Sequence, residues 1–516
     1  MQNALKKEIK RLSKRMLARE EFLLEKEEEY RKKFFRRTGV VSGKSRINPV
    51  NKVRHFDPVY CARNANFLSK TIWYKVLAGT YEVSPAKYFE IKKENGGVRP
   101  IMAFSIPDAA LANIAMRRAR FRNIKNISAY SFAYHPNKNL FDAVLEIRRF
   151  DYVEKLFAVQ IDFEKFFDSI PTNYIISQIN DENQITLTEH ERFIFKKFLN
   201  HRYAKPNDYA HSKFKVRHRG VPQGSSVSLV LANLANNRLD RSLEVLPGRF
   251  ARFADDVVAL CESYESALRI EKRFFVHCKN SGLKVNKEKS PGISIISSYD
   301  QEVRTDSDFV FLGYKFTEGG LMVPDKSIRK IKSRISRLIH IYLIMYLKFG
   351  YSRNRSSSKS PVYDWDLLGL IYEIRRSVYG GLSESIIISS LINKKRLPSM
   401  RGMMGFFCLI DVADQFRELD GWMLSAVRRA MKVRNDVLGN KFGESCPTPK
   451  NADLAKGTWL EMGAWTGNQK PDARMPSFVR GWRAARKYYF TYGLENVQPP
   501  MYGKYMDFSE LFRTYT

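Results

Sequence analysis

Two apolar runs that end in carboxylates constrain this chain more than any other feature. The run LFAVQIDFEKFFDSI carries Asp162 at the end of a strand-like stretch, and RFARFADDVVAL carries Asp255 and Asp256 at a short turn between two more. An acidic pair at the tip of a buried hairpin is unstable through mutual repulsion and desolvation unless cations or donors neutralise it. Two divalent ions bridged by carboxylates do so, and they also suit in-line phosphoryl transfer. An all-oxygen set without thiol or imidazole partners selects Mg²⁺. Alone, an Asp-Asp turn reads equally well as a solvated surface loop, so other segments must decide.

Charge gives the next constraint. Among 516 residues, 88 Lys and Arg face 54 Asp and Glu, a formal net charge of +34, which points to a polyanion, nucleic acid before an anionic membrane. Apolar residues at 44% suffice for folded cores and argue against global disorder. The five cysteines, Cys61, Cys261, Cys278, Cys408 and Cys446, are scattered without metal-ligand spacing, which removes a disulfide scaffold and a zinc finger. The first residues are charged throughout, unlike a signal peptide, and no apolar run approaches the roughly 20 residues of a membrane span. The expectation is a soluble, cytoplasmic protein with no membrane partner.

Residues 4–37 contain no Gly or Pro and place Leu5, Ile9, Leu12, Met16, Leu23 and Tyr30 at a/d spacing, with Arg19 and Lys26 weakening the seam. Such a helix either packs on its own body or serves as an oligomerisation arm. Strand-like and helical patterns alternate from about 67 to 316, as in an α+β domain. Helical patterns dominate 328–434, broken by a polar stretch at 352–361. The segment from about 444 is rich in Gly, Pro and aromatics and reads as an irregular tail.

Seven segments in order then resemble the successive motifs of reverse transcriptases: IKKENGGVRPIMAFSIP from Ile91, YSFAYHPNKN from Tyr130, IDFEKFFDSI, GVPQGSSVSLVLANL from Gly220, FADD, GLKVNKEKS from Gly282 and FLGYKF from Phe311. The resemblance implies a right-hand polymerase of fingers, palm and thumb, with an N-terminal helical arm and an α-helical C-terminal extension. On that reading residues 1–58 are the arm and linker, 59–155 the fingers with part of the palm, 156–320 the palm, 321–440 a helical thumb and RNA-binding region, and 441–516 the aromatic tail. It implies that Asp162, Asp255 and Asp256, with the Phe163 carbonyl, hold two Mg²⁺ ions. Lys92 and Arg99 would clamp the triphosphate of a dNTP, and the Phe167 ring would block a ribose 2′-hydroxyl. Gly220, Gln223 and Gly224 would form the loop under the template base, where side chains would fill the template's path, and Lys289 would protonate the leaving pyrophosphate. FADD in place of the commoner Tyr-Ala-Asp-Asp, Leu229 in place of Pro, and His135 in place of Arg mark a divergent branch.

Residues 400–434 resemble the thumb-side helices of group II intron maturases. Phe407, Phe416, Leu419 and Trp422 read as core, leaving Arg428, Arg429, Lys432 and Arg434 as an exposed basic face suited to RNA. Arg480 and Arg483 extend the basic character toward the tail. Neither the paired cysteines of an HNH endonuclease nor an acidic cluster like that of ribonuclease H is read beyond this point, which disfavours mobile-element use. Among the remaining branches, the chain looks like the defence-associated reverse transcriptases of bacteria, in the unknown-group and abortive-infection branch, with a look of the one called type nine. That likeness implies antiphage defence, a non-coding RNA template, a homopolymer-rich cDNA product and a homo-oligomer, trimer or hexamer. A tail hydroxyl at Tyr488, Tyr489, Tyr492, Tyr502, Tyr505 or Tyr515 would then serve as primer, against the alternative of aromatic packing or base stacking. The competing readings are a retron or group II intron-derived reverse transcriptase, and a non-catalytic maturase-like RNA-binding protein.

Overall fold

The computed structural model describes residues 1–38, 41, 53–92, 96–149, 156–296, 305–348, 364–392, 397, 400–443, 445–460 and 471–493. It is a mixed helix and sheet architecture in two units, residues 1–22 with 48–312, and residues 23–47 with 313–516.

Helix α1 (Gln2–Thr38) is continuous, as its lack of Gly and Pro predicts. In its first half Leu5 and Ile9 are buried, with Leu12 and Met16 packed against the same core. This half of the seam is therefore spent on the protein's own first unit. Glu8 fastens it: the buried carboxylate accepts from Arg11 Nε at 2.9 Å and Asn113 Nδ2 at 3.0 Å, and pairs with Arg117 at 2.8 Å. Burial alone would push Glu8 up, but the donors from Arg11, Asn113 and Arg117 outweigh it and hold the carboxyl at about 2.

Strands β1 (Ala86–Lys92) and β2 (Val98–Ala103) form an antiparallel hairpin, extended by the short strands Arg202–Ala204 and Lys215–Val216. Helix α2 (Ile106–Arg122) follows, its first turn capped by Ser105, which accepts from the Asp108 N–H at 3.3 Å. The central sheet is built from β3 (Leu156–Asp162), β4 (Arg249–Phe253), β5 (Asp256–Cys261), β6 (Gly292–Ile296) and β7 (Thr305–Asp306), in the order β4-β5-β3-β6-β7. Only the β6–β7 pairing is parallel. Strand β3, flanked on both sides, is nearly continuous in apolar residues because it is buried nearly throughout. Helix α3 (Val227–Glu244), which follows the Gly-rich loop, buries Asn233 and Asp240 along with its alanines and all its leucines but Leu229. Helix α4 (Tyr264–Ser281) buries Ala267, Ile270 and Phe274 in the same core as the sheet.

In the second unit β8 (Tyr314–Thr317) and β9 (Gly320–Met322) pair as a hairpin. Helices α5 (Asp325–Ile339), α6 (Trp365–Tyr379), α7 (Asp414–Phe442) and α8 (Phe478–Tyr492) follow. The irregular tail expected from 444 onward contains a regular helix, α8. Its apolar residues Phe478, Trp482 and Ala485 recur at helical spacing and are buried, and Ser477 Oγ caps it by accepting from the Arg480 N–H at 3.1 Å. Phe407, Phe416 and Leu419 are core residues as expected, and Trp422 is half-buried. Among the described residues, no helix is long and apolar enough to cross a membrane.

Candidate active site

The site forms where the central strands end. In the β3–β5 register Asp162 stands opposite Asp256, and in the β4–β5 hairpin Phe253 stands opposite Asp256, so Ala254 and Asp255 make the tip. Ala254 has φ +62°, the left-handed region. A non-glycine residue keeps such a conformation only where its surroundings impose it. They do so through Arg252, which is fully buried and whose guanidinium donates to the Ala254 carbonyl at 3.0 Å and to Ser131 Oγ at 2.8 Å. The same group grips the equally buried Asp240 with two bonds, of 2.7 and 2.5 Å. The pair ties the hairpin to α3 from beneath, with every branch of the guanidinium used.

Asp162 is held by the GLKVNKEKS segment. Its N–H donates to Ser290 Oγ at 2.9 Å and its carbonyl accepts the Asn286 N–H at 2.8 Å. Its carboxylate accepts from Asn286 Nδ2 and pairs with Lys289 Nζ, both at 3.2 Å. Phe163 bridges to Val285 with its ring buried against Phe166 and Phe274, which fixes the backbone that follows Asp162.

Two of the three carboxylates are raised by burial and by their acidic neighbours. Asp256 is pushed up to about 7, first by burial and then by the charges of Asp255 and Asp162, against a smaller pull from Lys289. Asp255 is raised by burial and by Asp162, while its own backbone hydrogen bond, Lys289 and Arg99 oppose the shift. Among the described residues, no three acidic, His or Cys side chains close into a ready-made metal-holding group. The donors nonetheless fit a divalent ion by their chemistry. They are hard oxygens that destabilise one another's charge, and a cation relieves that repulsion.

Around this centre the structure places the other predicted residues as follows. Arg99 is exposed on β2 opposite Ile91, its charge reaching Asp255 and Tyr134, and Lys92 is exposed opposite Val98. Phe167 is half-buried, and its carbonyl accepts the Val221 N–H at 2.7 Å. Gln223 donates from Nε2 to Asp168 Oδ2 at 2.9 Å, and its carbonyl accepts the Met102 N–H at 2.7 Å. The glycines of this loop answer to backbone contacts inside the protein. A Cβ on Gly224, at φ +122°, would lie 2.1 Å from the Met102 carbonyl oxygen, and one on Gly220, at φ +77°, 2.6 Å from that of Phe167. The need for small residues, read from sequence as a template path, is met here by close approach of strand β2 and the Phe167 segment.

Two basic residues depart from expectation. Arg434 is buried on α7 and bonded to Asp364 rather than lying on the exposed face with Arg429 and Lys432; Arg428 is half-buried. Arg480 is bonded at 2.9 Å to Glu384, which is fully buried, so its charge is spent inside the unit, while Arg483 is exposed. Among the tail tyrosines, Tyr488 is buried on α8, whereas Tyr489 and Tyr492 are half-buried on the same helix. Tyr502, Tyr505 and Tyr515 lie outside the described residues. Sequence reasoning missed Arg252, Asp240, Asn286, Ser290 and Asp168. The Arg three residues before Asp255 and the lone Asp within an apolar helix were the available signals.

Comparison with known proteins finds the following similarities. Residues 91–316 match the family model described as "Reverse transcriptase (RNA-dependent DNA polymerase)". The "Putative COX1/OXI3 intron 2 protein" of Saccharomyces cerevisiae is 28% identical over 184 residues, 35% of this chain and 20% of that one. The "Uncharacterized 91 kDa protein in cob intron" of Schizosaccharomyces pombe is 28% identical over 174 residues, 33% of this chain and 20% of its own length. The chain thus spans about a fifth of the curated relatives it matches. Among solved structures, telomerase from Candida albicans with a fragment of telomeric RNA aligns at TM-score 0.37 and 12% identity, covering 75% of this chain and 69% of that one. Apo telomerase from Candida tropicalis aligns at 0.38 and 13%, covering 73% and 63%. The matched family, the ordered motifs and the register of Asp162 against Asp256 beside Asp255 converge: residues 91–316 carry a reverse transcriptase domain.

Proposed function

We propose that the whole protein is an RNA-directed DNA polymerase of right-hand architecture that extends a DNA 3′ end with dNTPs along an RNA template. The observation that carries this is the register of Asp162 against Asp256 with Asp255 at the adjoining tip, three acids whose charges press on one another. Two Mg²⁺ ions held by Asp162, Asp255 and Asp256, with the Phe163 carbonyl, would supply the charge neutralisation that phosphoryl transfer needs. Arg99 and Lys92 bind the triphosphate, Phe167 excludes the 2′-hydroxyl, and Gln223, oriented by Asp168, faces the nascent pair. Lys289, already paired to Asp162, is placed to hold a proton for the leaving group.

The finer reading is a bacterial antiphage reverse transcriptase that copies an associated non-coding RNA as an oligomer; it rests on the family likeness of the motifs. Protein priming there narrows to Tyr489, Tyr492 and the tyrosines beyond residue 493. A second reading, an intron-derived reverse transcriptase, is favoured by the names of the two relatives, both intron proteins. The test is extension of a DNA primer on an RNA template by the full chain. Asp255→Ala with Asp256→Ala is expected to lower the rate at least about 100-fold while RNA affinity holds or rises. Synthesis retained by the double variant would refute the acidic site, and RNA binding without synthesis by the wild type would leave the RNA-binding maturase reading in its place. Sequencing the nucleic acid that copurifies from cells separates the defence and intron readings by template.

A further inference from the structure

Tyr134 stands in the left-handed region, at φ +59°, where a bulky side chain is disfavoured. Two side chains hold it there. Asn233 Nδ2, buried on α3, donates to the Ala133 carbonyl at 2.8 Å, and an Arg120 NH donates to the Tyr134 carbonyl at 3.3 Å. Strain maintained by two separate anchors beside an acidic centre points to a positional demand on the side chain it carries. That side chain feels the charge of the centre. Burial and the Asp255 carboxylate push its phenol up while Arg252 and Arg99 pull it down.

Among the described aromatic residues the ring meets one, Phe167. It meets Phe167 edge-to-face, with centroids 6.4 Å apart and planes at 81°. On another side Phe167 meets Phe166, at 5.7 Å and 80°. Phe166 is itself buried and packed on Phe163. Among the described aromatic rings, Phe167 therefore has one wall fixed by its own chain neighbour and a second supplied by Tyr134. Without the second wall the half-buried ring can rotate about χ1 away from Phe166.

From this geometry we infer that Tyr134 is a positioning residue for sugar selection: its ring holds Phe167 at the reach that separates deoxyribose from ribose. The inference rests on the polymerase reading and deepens it. Tyr134 acts through Phe167 and needs only its ring, so the hydroxyl is dispensable.

The experiment is single-nucleotide primer extension by the full chain, comparing kcat/KM for a dNTP and the matching rNTP. Tyr134→Phe is expected to keep the wild-type ratio. Tyr134→Asn and Tyr134→Gly both tolerate the left-handed backbone, and each is expected to lower the ratio about tenfold through a lower KM for the ribonucleotide. Tyr134→Leu, which keeps bulk without a planar edge, is expected to lower it in the same direction. Far-UV circular dichroism identifies any variant that does not fold, and the remaining ones decide. A folded Asn, Gly or Leu variant that discriminates like wild type overturns the inference while leaving the polymerase reading standing. Phe167→Ala separates the two levels: an unchanged ratio there overturns the gate itself, and the role of Tyr134 with it.

Discussion

Replacing Arg252 with Met removes a guanidinium that is wholly inside the protein and leaves Asp240, equally buried, without its counter-ion. Removing one partner of a buried ion pair costs about 3–5 kcal/mol. The lost bonds to Ser131 Oγ and the Ala254 carbonyl add about 1 kcal/mol each. Arg252→Met is therefore expected to destabilise the first unit by about 5–7 kcal/mol. In Arg252→Met with Asp240→Leu no buried charge is left, and about half of that loss is expected to return. Urea unfolding of the four proteins, compared at constant slope, gives the coupling directly, expected to be at least about 2 kcal/mol. Strict additivity of the two substitutions would refute the reasoning. The Ala254 turn adds a second expectation: variants that remain folded at low temperature should lose polymerase activity, because the tip bearing Asp255 has lost its lower anchor.

Three further outcomes follow from the geometry. Glu8 has a folded-state pKa of about 2, below its ordinary value, so its contribution is fully present above about pH 4.5 and is lost as pH falls toward 2. Between pH 5 and 2 the wild type is expected to lose on the order of 3 kcal/mol more than Glu8→Gln in urea melts at stepped pH, and parallel curves would contradict it. Gly224→Ala drives a Cβ into the Met102 carbonyl at a left-handed position and is expected to cost at least about 3 kcal/mol or abolish nucleotide incorporation, read by thermal melting and primer extension. Arg434→Ala is expected to lower stability by about 3 kcal/mol, whereas Lys432→Ala leaves it unchanged and lowers the slope of RNA affinity against salt by at most about one unit.

The acidic centre was legible in the sequence because both its strands are apolar runs bounded by the very carboxylates that matter, so strand ends and site coincide. The Arg252–Asp240 pair was not, since neither charge has a local partner and only the packing of the hairpin on α3 brings them together. Arg434 was misassigned although its position holds the clue. Phe416, Leu419, Met423, Val427, Met431 and Leu438 form a stripe at spacings of three and four, and Arg434 falls on it. Counting period before charge would have put it inside. Helix α8 was hidden for a different reason, as the Gly and Pro around it masked the spacing of Phe478, Trp482 and Ala485.

The hydrogen bond from the Met102 N–H to the Gln223 carbonyl makes strand β2 a lever. Arg99 lies three residues nearer the hairpin tip, about 10 Å along the strand. On the proposed function, a triphosphate seated on that guanidinium would pull on a stiff, cross-bonded ribbon that leads to the peptide carrying Gln223. Gripping the incoming nucleotide and presenting the residue beneath its base would then be one mechanical event, and a substitution that softens the ribbon would slacken both.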